Sequence, residues 1–129
     1  MSLIHESEIL DLVKNDHRWI DVRAPIEFSS GTIPNSENAP LLDDEERRLV
    51  GTCYKNQGRD KAVELGYQLV SGKNRDVKIQ AWIQKIKQHS ELSLYCFRGG
   101  MRSQISQQWL KDAGFSVRRV SGGYKQMRF

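Results

Sequence analysis

The stretch "YCFRGGMRSQ", residues 95–104, sets one cysteine, two arginines and two glycines into ten positions, after the apolar "LSL" and before a run with helical spacing. That order predicts Cys96 at the carboxyl tip of a buried strand, then a tight loop, then a helix beginning near Arg102 or Ser103. Gly99 and Gly100 permit backbone conformations in which successive N–H groups converge on one point, and a helix N-terminus with two guanidinium groups adds positive potential there. Such a setting binds anions and favours thiolate, the attacking form, over thiol. Cys96 is therefore the expected catalytic nucleophile, with Phe97, Arg98, Gly99, Gly100, Met101, Arg102 and Ser103 as the expected substrate-binding residues. The chemistry open to a thiolate in an anion cradle is attack on phosphorus, or on sulfur or selenium. Cys96 and Arg102 keep the Cys-x5-Arg spacing of cysteine-dependent phosphatases. Tyr95, however, stands where those enzymes usually carry His, and no carboxylic general acid can be assigned near the loop.

The rest of the chain must hold that loop. "ESEILDLVKN" predicts a short amphipathic helix opened by Ser7, and "RWIDVR" (18–23) a strand. Pro25 disfavours helix at Ala24 and itself suits a first helical position in "PIEF". A brief strand is expected near Ser36 to Asn38, then helical stretches from Asp43 to Ser71 broken near Gly51 and Gly58. Val77, Ile79, Trp82, Ile83 and Ile86 share one helical face, "ELSLYC" (91–96) reads as a buried strand, and Ile105, Trp109, Leu110 and Ala113 mark a helix stopped by Gly114 before a last strand in "SVRRV". Strands alternating with helices predict an α/β fold with a central, mostly parallel sheet covered on both faces, whose ligand crevice lies beyond the carboxyl ends of the strands.

At 129 residues, 38% hydrophobic and 28% charged, the composition is that of one ordinary globular domain, residues 1–129, without repeats or linkers. No apolar run is long enough for a membrane span, and the acidic N-terminus lacks the marks of a secretory signal, so the expected location is cytoplasmic. Two cysteines, Cys53 and Cys96, are too few for a disulfide framework or a four-ligand zinc site, and no metal is expected. Charge is segregated: residues 1–46 carry 3 basic and 11 acidic side chains, whereas residues 96–129 carry 7 basic and 1 acidic. An anionic substrate or a phosphate backbone would be steered toward Cys96.

The motifs also carry a family resemblance. "DVRAPIEFSSGTIPNSENAPLL" (21–42), "CFRGGMRS" and "SGGY" (121–124) resemble the opening signature, active loop and closing turn of rhodaneses. "APLLDDEERRLVGTCYKNQGRDKAVELGYQLVSG" (39–72), joined to that loop, is similar to the rhodanese domain of the bacterial tRNA 2-selenouridine synthases, and simple rhodaneses have no counterpart of it. The resemblance implies a rhodanese-like fold and a transferase that converts wobble 2-thiouridine of tRNA to 2-selenouridine. Selenophosphate would be the selenium donor and a geranylated thiouridine the intermediate. Cys96 would carry the chalcogen as a persulfide or perselenide. No permanently bound cofactor is implied, and geranyl diphosphate is expected only for a full-length enzyme.

Within the same resemblance, Asp21 and Arg23 fall to loop and core hydrogen bonding, with catalysis as the alternative, and Tyr54, Lys55 and Arg59 become candidates for tRNA or donor contact, with a solvated helical face as the alternative. Cys53 reads as a packing residue or as a relay partner for Cys96; His5, His17 and His89 read as surface or packing residues. Thr32 and Asn35 depart from the usual His and Gly of the rhodanese signature. The loop is one residue longer from Cys to Arg than the common form, so donor preference is not inherited from thiosulfate-using relatives; a stand-alone thiosulfate-type sulfurtransferase and a Cys-x5-Arg phosphatase are the alternatives. No G-x-x-x-x-G-K-[ST] occurs in the chain, so the expectation is an N-terminal part of a longer enzyme whose P-loop domain is absent.

Overall fold

The computed structural model describes residues 3–89 and 91–128. Five strands, β1 (Leu3–Ile4), β2 (Arg18–Asp21), β3 (Ser36–Asn38), β4 (Leu92–Tyr95) and β5 (Arg118–Val120), form one sheet in the order β1-β5-β4-β2-β3, with every pair parallel. The helices are α1 (Glu6–Lys14), α2 (Pro25–Ser30), α3 (Asp44–Gln57), α4 (Arg59–Leu69), α5 (Gly72–Gln88), α6 (Met101–Asp112) and α7 (Gly123–Met127).

Alternation along the strands sends side chains to two separate cores. Ile20 and Leu94 pack with Trp82 and Ile83 of α5 and Trp109 and Leu110 of α6. On the other face Trp19, Tyr95 and Val120 pack with Ile9 of α1 and Met127 of α7. Helices thus cover both faces, as a parallel sheet requires. Trp82 donates from Nε1 to Ala39 O at 2.7 Å, which ties α5 to the chain leaving β3.

Several boundaries differ from the sequence expectation. α1 begins at Glu6 after His5, not at Ser7. α3 runs through Gly51 without a break, because an interior glycine costs only about 1 kcal/mol and the helix is closed at its start by a reciprocal cap: Glu46 N donates to Asp43 Oδ1 at 2.7 Å and Asp43 N to Glu46 Oε1 at 2.9 Å. Gly58 does break the chain, at φ +89°. α5 reaches back to Gly72, beyond the apolar face that marked it. β1 and α7 went unread, the first being two residues long and the second following a Gly-Gly pair that reads as a turn.

Candidate active site

β4 runs alongside β2 with Tyr95 opposite Asp21, and Cys96 follows at the carboxyl edge of the sheet. Its thiol is buried, 3.2 Å from Ser103 Oγ and 3.9 Å from Gly100 O. As a thiol, S–H donates to Ser103 Oγ; once that proton has left, the hydroxyl can turn and donate to the thiolate. Among the described residues the N–H groups of Phe97, Arg98, Gly99 and Gly100 have no protein acceptor. α6 begins at Met101, one residue earlier than expected, and its first amides point out of a twelve-residue helix. The loop from Phe97 to Ser103 therefore presents unpaired donors beside the only buried thiol among the described residues.

The two arginines of the loop are not equivalent. Arg98 is exposed, with Cζ 5.4 Å from the Phe97 ring centre, and has no carboxylate partner among the described residues. Arg102 is committed to Glu27 of α2 through two contacts, Nη1 to Oε1 at 2.5 Å and Nη2 to Oε2 at 3.2 Å. Glu27 also accepts from Ala24 N at 3.1 Å and pairs with Arg47 at 3.1 Å. Burial works against its charge, yet the hydrogen bond and charge of Arg102, with Ala24 N and Arg47, hold its carboxyl below the usual range. No sequence signal linked Glu27 to Arg102 across 75 residues.

Asp21 and Arg23 form a buried bridge at 2.7 Å, and Arg23 also donates to Gly31 O at 2.7 Å and lies 4.1 Å above the Tyr124 ring. Asn38 Nδ2 donates to the carbonyls of Asp21 and Arg23 at 3.0 and 2.9 Å. These residues brace the loop after β2, in line with the structural role expected of them. Thr32 Oγ1 lies 2.7 Å from Tyr95 OH, which donates onward to Ser36 Oγ at 2.9 Å, so the departure at Thr32 is absorbed into packing beneath Cys96. Asn35 adopts φ +65°, a left-handed conformation that Asn tolerates well.

An apolar groove of about 540 Å³ adjoins the loop, between the α3–α4 pair and α6. Leu41, Val50, Ala62, Ile105 and Trp109 line it, with exposed Tyr54 and Tyr67 at the rim, and Arg98, Gly100, Met101 and Arg102 close one end. Arg59 reaches across that end to Met101 Sδ at 3.4 Å. Tyr54 and Arg59 thus join the loop, whereas Lys55 and the half-buried Cys53 do not line the groove. His17 is bonded to Ser93 Oγ at 2.9 Å, His89 lies 3.8 Å from Glu37, and His5 precedes α1, all remote from the chemistry expected of the loop.

A five-stranded parallel sheet with a cysteine at a strand tip, inside a loop of free amides that opens a helix, defines an α/β domain whose thiol faces an anion-binding loop. Residues 6–128 match the rhodanese-like domain family, and the chain belongs to it. Among curated relatives, the tRNA 2-selenouridine synthase of Shewanella woodyi is 52% identical over 127 residues, covering 98% of this chain and 34% of that protein. The tRNA 2-selenouridine synthase of Pseudomonas fluorescens is 53% identical over 118 residues, covering 92% and 32%. The chain thus spans about a third of the length of these relatives.

Among solved structures, the N-terminal domain of a protein described as ATP/GTP binding, from Clostridium difficile 630, superposes with a TM-score of 0.82 at 34% identity over 97% of this chain and 95% of that one. The human single-domain sulfurtransferase TSTD1 shares the fold alone, with a TM-score of 0.54 at 18% identity over 98% and 94% of the two chains.

Proposed function

We propose that this domain is the chalcogen-carrying part of a longer tRNA 2-selenouridine synthase, with Cys96 as the nucleophile in conversion of wobble 2-thiouridine to 2-selenouridine in the cytoplasm. The observation that carries the reading is the buried Cys96 thiol beside free loop amides, in a chain 52% identical to a synthase of that name. The unpaired donors suit an anionic donor such as selenophosphate, and equally the persulfide or perselenide of Cys96 that forms when a donor's outer chalcogen is transferred and the bonding pair leaves with the rest of the donor. Arg98, exposed and without a carboxylate partner among the described residues, is the residue that meets the arriving anion. The groove beside the loop suits the hydrocarbon of a geranylated thiouridine, because its lining is almost wholly apolar while guanidinium groups of Arg59, Arg98 and Arg102 stand at one end. Geranyl diphosphate is expected to bind in the two thirds of the relatives that lie outside this chain, where the P-loop domain is expected, whereas this domain meets the tRNA at its modified base.

The test supplies the domain with selenophosphate and a tRNA carrying geranylated 2-thiouridine, followed by nucleoside analysis. The reading expects 2-selenouridine from the wild-type domain and none from Cys96→Ser. Conversion that survives in Cys96→Ser contradicts it, and turnover of thiosulfate and cyanide with no action on the tRNA favours a stand-alone sulfurtransferase.

A further inference from the structure

The loop amides face Cys96 only if the peptide planes between Cys96 and Gly100 are turned the right way, and the structure holds three of those planes from one side. Tyr124 N donates to Cys96 O at 2.7 Å, Lys125 N donates to Phe97 O at 2.8 Å, and Arg119 Nη1 donates to Gly99 O at 3.1 Å. In a trans peptide the carbonyl and the following N–H point in opposite directions. Drawing the Cys96, Phe97 and Gly99 carbonyls toward β5 and α7 therefore turns the N–H groups of Phe97, Arg98 and Gly100 the other way. Those are three of the four loop amides that lack a protein acceptor among the described residues.

The fit between the two segments leaves no room for a side chain. Gly123 sits at φ +64°, and a Cβ there would lie 2.4 Å from Cys96 O, 2.6 Å from Gly99 N and 2.7 Å from Arg98 N. A Cβ on Gly99 would lie 1.8 Å from Ser121 O. All of these neighbours are backbone atoms, which cannot swing aside without moving the loop. Gly51, inside α3, differs: a Cβ there meets nothing within 4 Å.

We infer that the segment from Arg119 to Lys125 is the positioning element of the nucleophile, with Gly123 as its key residue: it holds the loop carbonyls outward so that the loop amides form the anion cradle at Cys96. The inference needs Cys96 as nucleophile and is independent of the acceptor it serves. It is read by alkylation in a Cys53→Ser background, so that only Cys96 reacts. The thiolate displaces iodide from iodoacetate, an anion, or from iodoacetamide, which is neutral, and the ratio of the two rates reports the cradle separately from general accessibility of the thiol.

Gly123→Ala is expected to lower the iodoacetate-to-iodoacetamide ratio about tenfold, the loss of one or two charge-assisted hydrogen bonds, while Gly51→Ala, outside the loop and with nothing within 4 Å of the added Cβ, keeps it within about twofold. A Gly123→Ala protein that is folded by circular dichroism and keeps the wild-type ratio overturns the inference. Should that variant not fold, amide hydrogen exchange on the wild-type protein decides. In a helix beginning at Gly123, the Tyr124 and Lys125 amides have no acceptor inside the helix, so protection requires the Cys96 and Phe97 carbonyls, and rapid exchange at both overturns the inference.

Discussion

At the scale of single residues, the loop separates an arginine left free of carboxylates among the described residues from one held by a carboxylate. Arg98 faces solvent and Arg102 faces Glu27, although both were equally plausible anion ligands in the sequence. Arg98→Ala should therefore slow sulfur or selenium loading of Cys96 about ten- to a hundredfold, the loss of one charged hydrogen bond, with thermal stability almost unmoved. Equal loading rates would place the donor elsewhere. Arg23 behaves oppositely. Its guanidinium and the Asp21 carboxylate are both buried, and removing one partner leaves the other charge unpaired, so Arg23→Ala should destabilise the domain by about 3–5 kcal/mol in urea titration. A loss below about 1 kcal/mol would mean that water reaches Asp21 once Arg23 is gone. The place of Cys96 at a strand tip before a loop and helix, and the bracing role of Asp21 and Arg23, were legible in the sequence because they lie in short contiguous motifs. Glu27 was not, since its partners Arg47 and Arg102 are brought to it only by packing.

At the scale of elements, the strand tip and the α6 start are what local pattern can encode: an apolar run, a glycine pair, then helical spacing. The α3–α4 pair shows where local pattern stops being enough. Gly51 and Gly58 look alike in sequence, yet one is carried inside a capped helix and the other turns the chain at positive φ. The groove, built by residues from α3, α4, α6 and the loop after β3, exists only as tertiary structure, although the Val50, Ala62 and Ile105 positions that line it are visible as helical apolar residues. Val63 belongs to the same lining and is only partly buried. Val63→Glu should raise the KM for a geranylated substrate about tenfold or more, while leaving loading of Cys96 from the donor unchanged. A parallel loss of both steps would show that the substitution disturbs the loop rather than the groove.

At the scale of the whole molecule, charge and protonation set two dependences. Glu27 and Glu46 are both held below the usual carboxylate range. For each, burial opposes the charge and is outweighed, by Arg102 at Glu27 and by Lys78, Asp43 N and Asn74 at Glu46. Burial also lowers His17, partly offset by Glu91. A group whose folded pKa lies below its unfolded value adds stability above the unfolded value and loses it as pH falls through the folded one. All three therefore act in the same direction. The melting temperature should hold near neutral pH, begin to fall below about pH 6.5 as His17 is forced to charge, and fall further below about pH 4.5 as the carboxylates protonate. His17→Gln should flatten the upper part of that decline, and an unchanged profile would remove His17 from the account.

The uneven charge distribution, acidic before Arg47 and basic after it, was plain in the sequence, and the fold brings Arg59, Arg98 and Arg102 from the basic part to one mouth. If tRNA is held there by phosphate contacts, its affinity should fall steeply and linearly on a log–log plot against salt.

The central claim is that Cys96 carries the chalcogen, and intact mass spectrometry tests it most directly. Reduced protein is incubated with selenosulfate or, separately, with thiosulfate, alongside Cys96→Ser and Cys53→Ser. With thiosulfate or selenosulfate the Cys96 thiolate bonds to the outer sulfur or selenium, the donor's S–S or S–Se bond breaks, and sulfite leaves with the electron pair. The account predicts a gain of one selenium or one sulfur that dithiothreitol removes, present in wild type and in Cys53→Ser and absent in Cys96→Ser. An adduct that persists in Cys96→Ser, or none with either donor in the folded wild-type domain, would contradict it.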